Sequence, residues 1–468
     1  MRAKIIFSLS LLIPFALVFI YVWNTSTDYF YGHDPVLIKN GFIESYLNGT
    51  LTFDDLWRPV GMIRFLGYNL LLLANIKWFS MNLKIFVLLI PFLMLSSALL
   101  IYRDYRKSLS PERSPEFIAA TFLILTLIIF NVIQWQGLIF GFGFNFQVPM
   151  PFIIASFISL ELYLTKDRRY WPMAFILPAL TVLVFGGTPV FAFAPALGST
   201  FLCYVRTRRS CLAKDFWIRA LIISVFLAAI AFIYMFRIHL NDYEPNFSPY
   251  YSPFVAEILT RPLEALQFLL SAFGASVIGI DAFFACNYFS FNNIVLIGMI
   301  VVLFYALALI LFFRSRMYER TYLPFFLIMQ TFFHLVFITI GRFGIVGGTG
   351  AMLSSYTCVS IYGLAALAWI FIFILAQPVG LNALLKSTLY AGFAMLFAGL
   401  LLTSIVVWRI QPERKAFFEK LRGIAMRIDT ATPEELELSD FDKQICDSLQ
   451  LLKKYKLNIY RSMPADRK

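Results

Sequence analysis

The residues with the clearest capacity for chemistry lie near the amino terminus. TDYFYGHDPVLIKNGFIESYLNGTLTFDDLWRPVGMIR (27–64) sets Asp28, Asp34, Asp54 and Asp55 close in sequence to Arg58 and Arg64, with Tyr31 and Trp57 among them. A carboxylate can take the proton of an attacking hydroxyl. Arginine holds a phosphate through paired charge-assisted hydrogen bonds, and a flat aromatic face can stack on a sugar ring. Trp135 adds such a face in the uncharged stretch QWQGLIFGFGFNFQVPMP (134–151), where the glycines permit close approach of backbone or ligand and Gln136, Asn145 and Gln147 can meet hydroxyls. Arg342 opens GRFGIVGGTGAMLSSYT (341–357), a glycine-rich run with no GK[ST] and no preceding strand, so it is no phosphate loop for nucleotides. Each feature also has a plainer reading: a solvated loop, a belt of interface aromatics, or an arginine reaching toward headgroups.

Those residues sit in a chain that excludes a soluble protein. Of 468 residues, 60% are hydrophobic and 14% charged, against about a quarter charged in soluble domains, and mean hydropathy is +0.76. Apolar runs of about 20 residues, the length that crosses a hydrocarbon core, recur from end to end. They predict eleven spans, at about 5–23, 85–102, 117–133, 148–164, 171–185, 190–205, 216–236, 294–313, 321–341, 357–376 and 387–408, all α-helical. Gly186 to Pro189 supply the turn between the two short ones. The first run is longer than a signal-peptide core and lacks its cleavage site, so it stays as a span.

Basic clusters at Arg2 and Lys4, 103–107, 166–169, 206–209 and 314–320 fall at every second loop, the positive-inside pattern. The amino terminus is then cytoplasmic, the carboxyl terminus outside, and the +12 net charge an orientation signal rather than a nucleic-acid footprint. The segment 61–79, apolar but carrying Arg64, reads as interfacial or re-entrant.

Two regions follow: a membrane domain, 1–408, with a first outer loop at 24–84 and a long one at 237–293, and an outer helical tail, 409–468. In the first loop the spacing of Leu37, Ile38, Phe42, Ile43 and Tyr46 predicts a helix lying along the membrane surface. RPLEALQFLLSAFG (261–274) reads as a short amphipathic helix, a lid or surface element. The tail starts a helix at Thr432 and is expected to pack on the other outer loops. With no CxxC pair, neither zinc nor a redox motif is indicated, and a disulfide between Cys286 and Cys446 stays open. His33, His239 and His334 are too scattered in sequence to propose a metal site.

The first span followed at once by an acidic, aromatic outer loop resembles the GT-C class of polyprenyl-phosphate-sugar-dependent glycosyltransferases. The order of DLWRPVGMIR (55–64), NVIQWQGLIFGFGFNF (131–146), VFGGTPVF (184–191), GRFGIVGGTGAMLSSYT and LLKKYKLNIYR (451–461) looks like a bacterial family of such proteins. The layout is similar to the phage-encoded serotype-converting O-antigen glucosyltransferases. The resemblance implies a GT-C-like fold in the bacterial inner membrane and an inverting transfer on the outer leaflet, from a polyprenyl-phosphate sugar donor to a lipid-linked glycan such as O-antigen. It needs no cofactor, with assistance by a divalent cation left open. Asp34, Asp28, Asp54 or Asp55 would be the base, Arg58, Arg64 and Arg342 would hold the leaving lipid phosphate, and Tyr31, Trp57 and Trp135 would meet the sugar. A flippase for a lipid-linked sugar is the rival, followed by a polysaccharide polymerase or ligase and a noncatalytic assembly factor.

The topology is checked by fusions: a reporter active only in the periplasm should work after Lys468 and stay silent after Arg209. The reverse result at the tail would overturn the assignment of sides.

Overall fold

The computed structural model describes residues 1–29, 42–60, 63–64, 66–109, 113–165, 168–184, 213–235, 254–286, 289–377, 382–438 and 443–462. Among them, eight helices are long and apolar enough to cross a membrane: Arg2–Thr25, Leu83–Leu109, Pro115–Ile139, Phe144–Thr165, Phe291–Arg314, Leu323–Phe343, Ser354–Leu375 and Ala383–Arg409. Each covers one of the eleven expected spans, and the chain is a multi-span, membrane-embedded helical protein. The expected span at 171–185 is the 13-residue helix Trp171–Leu183, and the one at 216–236 overlaps the helix Ala213–Met235. The expected span at 190–205 lies outside the described residues. One exception to an all-helical chain is a two-residue antiparallel pairing of Pro59–Val60 with Ile63–Arg64.

The first helix shows how these sequences choose their surroundings. Leu11, Pro14, Val18, Tyr21, Val22 and Thr25 are buried at helical spacing, whereas Ile5, Leu9, Leu12, Ile13, Leu17 and Ile20 are about half exposed. Apolar side chains on the outside are the expected result when lipid, not water, is the surrounding solvent. The inward stripe carries the polar groups: Ser10 Oγ donates to the Ala119 carbonyl (2.9 Å), and Thr126 Oγ1 donates to the Ser10 carbonyl (2.6 Å).

Contacts at the two ends establish the alternation of helices. At the end rich in Lys and Arg, Glu161 pairs with Lys107 (2.9 Å) and accepts from the Thr321 hydroxyl (3.0 Å) and the Tyr322 N–H (2.7 Å). Arg320 donates to the Ser108 carbonyl, Arg113 to that of Ala376 and Arg219 to that of Tyr163. Arginines on the last carbonyls of helices also meet the negative end of the helix dipole. At the far end, Asp28, Leu83 and Asn458 come together, and Arg64 meets Tyr234. Val184 belongs to that far end too, since its carbonyl accepts from Gly67, while Arg219 is at the basic end.

Within the segment 61–79, expected to be interfacial or re-entrant, the helix Leu66–Phe79 is too short at 14 residues to cross. Two sequence expectations change. The glycine-rich run after Arg342 is no loop: the helix Leu323–Gly350 continues through it, because a backbone hydrogen-bond ladder closes on glycine as well as on any other residue. The helix Pro262–Ala275 is no surface lid. Its Ala265, Phe268 and residues Ser271 to Ala275 are buried, and Gly274 backs onto the Ile294 carbonyl while Gly298 backs onto that of Leu270, approaches a Cβ would block.

The first-loop helix is described over Phe42–Leu47, with Phe42 and Ile43 buried; its expected beginning at 36–41 lies outside the described residues. The tail helices Gln411–Met426, Pro433–Leu438 and Lys443–Lys454 fold back on this loop as expected. Asn458 N–H donates to the Ser80 carbonyl, Tyr455 OH to Asn48, and Lys454 faces Glu44. No disulfide joins Cys286 to Cys446.

Glu161 holds three elements at one carboxylate, so Glu161→Ala leaves the Thr321 hydroxyl and the Tyr322 N–H without their acceptor and is expected to cost about 2 kcal/mol. Lys107→Ala should cost under about 1 kcal/mol, because the ammonium is 40% exposed and its pairing is screened. Thermal unfolding of the detergent-solubilised protein measures both; equal losses would show that the ion pair, not the hydrogen bonds donated by Thr321 and the Tyr322 N–H, holds the end together.

Candidate functional site

The site grows from the uncharged aromatic stretch. Asn131 caps the turn Val132–Gln134 by accepting from the Ile133 N–H, and two further short helices, Trp135–Ile139 and Phe144–Gln147, fold the chain over the start of Ser354–Leu375. Gln136 fastens it there with a reciprocal pair: its N–H donates to Ser354 Oγ (3.0 Å) and its Oε1 accepts from the Ser355 N–H (3.1 Å). Gln147 donates to Gln134 (2.7 Å) underneath. Glycine is required twice. A Cβ on Gly137 would stand 2.0 Å from Cys358 Sγ, and one on Gly143 would stand 2.5 Å from the Gly137 backbone.

This fold presents Trp135 to Arg414, whose guanidinium lies 3.6 Å from the ring centroid. Arg414, in the first turn of Gln411–Met426, also donates to Tyr21 OH (2.6 Å) and to Asp281 Oδ1 (2.9 Å). Asp281 is aimed by the turn before its helix Ile280–Ala285, where the Gly279 N–H donates to Thr403 Oγ1 and Thr403 Oγ1 donates to the Val277 carbonyl. The Asp281 and Arg414 side chains are 13% and 7% exposed. Trp408 packs edge-on to Tyr21 (5.3 Å), and Phe140 bridges Trp135 and Phe418.

An ion pair this buried stands only with its hydrogen bonds satisfied, since desolvation offsets much of the Coulomb attraction. Burial pushes the Asp281 carboxyl up from its ordinary 3.8, with Arg414 first and Trp135 after it pulling it back down. Ionising Asp281 therefore costs the folded state more than the unfolded one. Its contribution to stability is largest below the ordinary carboxylate value and declines as pH rises through the raised one.

Beside the cluster an apolar cavity of about 200 Å³ opens toward the lipid-facing surface, lined by Pro14, Leu17, Leu127, Phe130 and Trp408 among others. Its polar floor is Asn131, which accepts from Ser404 (3.2 Å). Trp408 belongs to both, walling the cavity and touching Tyr21.

The residues singled out in the sequence are mostly elsewhere. Asp34 and Tyr31 lie outside the described residues. Asp28 is a fastener: it accepts from the Leu83 N–H (2.9 Å) and Asn458 Nδ2 (2.8 Å) and pairs with Arg461 (2.6 Å), tying the first loop to the tail. Asp55 closes a capping box with Thr52, whose N–H and then hydroxyl hold its carboxyl below the ordinary 3.8. Asp54 is exposed beside it, and Arg58 is half-exposed, 4.0 Å from Asp55.

Arg64 is 4% exposed; it donates to the Tyr234 and Trp57 carbonyls and stacks over Trp57 at 5.0 Å, an assignment to packing the hairpin on the end of Ala213–Met235. Arg342 is part-buried within its helix, in electrostatic reach of Tyr356. Of the expected residues that are described, only Trp135 joins the cluster. Asp281, Arg414 and Tyr21 were missed, although one signal was available: Asp281 is the only acidic residue between Glu264 and Glu319, and a lone acid in an apolar stretch needs a partner. Among the described residues no group of His, Cys, Asp and Glu could hold a metal ion.

Comparison of the chain with protein-family models, with characterised proteins and with solved structures found no match.

Gly137→Ala and Gly143→Ala should each cost about 2 kcal/mol by overpacking, read as a lower unfolding temperature. Cys358→Ala should restore Gly137→Ala, whose clash is with a side chain, and leave Gly143→Ala uncorrected, whose clash is with backbone. Equal rescue of both would overturn this packing.

Proposed function

We propose that the protein is a GT-C-like glycosyltransferase of the bacterial inner membrane, with eleven spans, its basic end cytoplasmic and its far end and tail periplasmic. It moves a sugar from a polyprenyl-phosphate donor to a lipid-linked glycan such as O-antigen. The observation that carries this reading is the Asp281–Arg414 pair, a buried carboxylate with a raised pKa walled by aromatic rings at a helix-bundle end beside an apolar, lipid-facing cavity.

In this reading the acceptor hydroxyl attacks the anomeric carbon from the face opposite the lipid phosphate, so the configuration inverts. Asp281 takes the hydroxyl proton, a role suited to a carboxylate whose pKa lies nearer neutrality than usual. Arg414 positions it and keeps it ionised. The carbon–oxygen bond to the phosphate breaks and the lipid phosphate leaves as an anion, a charge that nearby donors must stabilise. Trp135 and Phe140 give the sugar apolar faces, and the cavity receives part of the donor's lipid chain. Asp34 is the first-loop alternative for the base.

A second reading, a carrier of a lipid-linked sugar, draws support from a different observation: Gln330 and His334 are polar groups buried near the middle of a membrane helix.

Asp281→Asn keeps shape and removes basicity, so transfer in membranes supplied with polyprenyl-phosphate sugar should fall by about 10²- to 10⁴-fold at normal protein level. The wild-type rate should fall as pH drops through the raised Asp281 value, above that of an ordinary carboxylate. Full activity in Asp281→Asn together with loss in Asp34→Asn would move the base to the first loop. Glycan analysis of a deletion strain decides between classes: one missing side-branch sugar on an intact backbone supports transfer, while unaltered glycan with trapped inner-leaflet donor supports the carrier.

A further inference from the structure

The helix Leu323–Gly350 carries two polar side chains one turn apart, Gln330 and His334, in a segment otherwise dominated by Phe, Leu and Ile. They are 1% and 4% exposed. Neither amide atom of Gln330 has a hydrogen-bond partner among the described residues, and neither does His334 Nε2. The depth follows from the basic end, where the Tyr322 N–H meets Glu161. At 1.5 Å per residue, Gln330 is about 10 Å and His334 about 16 Å beyond Leu323. Both therefore lie close to the middle of a hydrocarbon layer roughly 30 Å thick.

Buried amides and imidazoles in folded proteins almost always have partners, and at this depth bulk water is too far away to supply one. Among the described residues no protein group supplies one to Gln330 or to His334 Nε2 either. Residues four apart on a helix place their Cβ atoms about 5–6 Å from each other, a gap that one water bridges between two polar side chains. The amide offers both donors and an acceptor, and the imidazole nitrogen offers the second contact.

We propose that Gln330 and His334 hold ordered water inside the bundle near the membrane midplane. This inference is independent of the transfer reading and of the Asp281 cluster. The site lies on one helix face, is closed to solvent and has the Tyr356 backbone beside His334, so water there is fixed rather than exchanging freely with a channel. It also marks where a hydroxyl or amide of a bound headgroup would replace that water at little enthalpic loss.

X-ray radiolytic footprinting of the full-length protein in lipid nanodiscs tests this, because hydroxyl radicals form from the bound water itself. Mass spectrometry should find His334 oxidised several-fold faster than Trp369 and Phe122, which are buried and intrinsically no less reactive. With H2(18)O, the added oxygen should carry the label. Gln330→Met keeps the side-chain volume and removes its polar atoms, so His334 oxidation should drop several-fold with the unfolding temperature unchanged or lower. Two results overturn the proposal: His334 oxidised no faster than Trp369 in the wild type, which makes the site dry, or oxidation unchanged in Gln330→Met, which shows that Gln330 holds no water. A Gln330→Met protein that unfolds at higher temperature would overturn it as well, since deleting an unpartnered dry amide stabilises.

Discussion

Everything in the bundle is arranged around a helix that never meets solvent or lipid along most of its length. In Ser354–Leu375 nearly every residue is buried. A helix apolar on all sides has no preferred outer face and gains most from being surrounded. Its middle, Gly363 to Ala368, has Gly or Ala at four of six positions, and the small residues let neighbours come close: a Cβ on Gly363 would overlap the Thr331 hydroxyl. Trp369 closes the basic end of this helix by donating to Ser108 Oγ (2.9 Å) and packing edge-on against Tyr105. The reciprocal bonds of Gln136 with Ser354 and Ser355 close the other end, where the first N–H groups would otherwise lack partners.

The two ends use charge differently. At the basic end a single carboxylate, Glu161, gathers Lys107, Thr321 and Tyr322, while arginines cap the final carbonyls of neighbouring helices. These interactions set register and depth, and their cations stay near solvent, where they cost little. At the far end the charges go inward. Arg414 is nearly enclosed between Tyr21, Asp281 and Trp135, and holding it there requires every partner to be placed by a different part of the chain. A purely structural fastening could be made more cheaply with apolar side chains. That excess is the physical ground on which the proposed transfer reaction is placed at the far end.

The first loop and the tail meet through short polar bonds at Asp28, Asn48, Ser80 and Glu44, and this contact explains why the acidic residues of the first loop read ambiguously. Asp28 and Asp55 look like catalytic acids in sequence because their neighbours are aromatic and basic. In the fold one caps the backbone at Leu83 and pairs with Arg461, and the other closes a capping box. Local motifs such as Thr52 to Asp55 are visible in sequence, since capping depends on residues three apart. A fastener such as Asp28 to Asn458 spans 430 positions and leaves no local trace.

Sequence alone determined what depends on solvent and on short-range periodicity: the long apolar helices, their alternation from basic clusters, the aromatic stretch with its obligatory glycines, and the helical tail. Each follows from a rule that acts within about 20 residues, the thickness of the hydrocarbon layer. Tertiary structure alone decided which polar groups meet. It turned the glycine run after Arg342 into helix, packed Pro262–Ala275 into the bundle, assigned Arg64 to packing, and joined Asp281 with Arg414 across 133 positions and Tyr21 with Arg414 across 393. The reason is that lipid fixes only the length and apolarity of a helix, whereas the partner of a buried polar group is fixed by which other helix face lies within about 3 Å, and that is a property of the packed bundle.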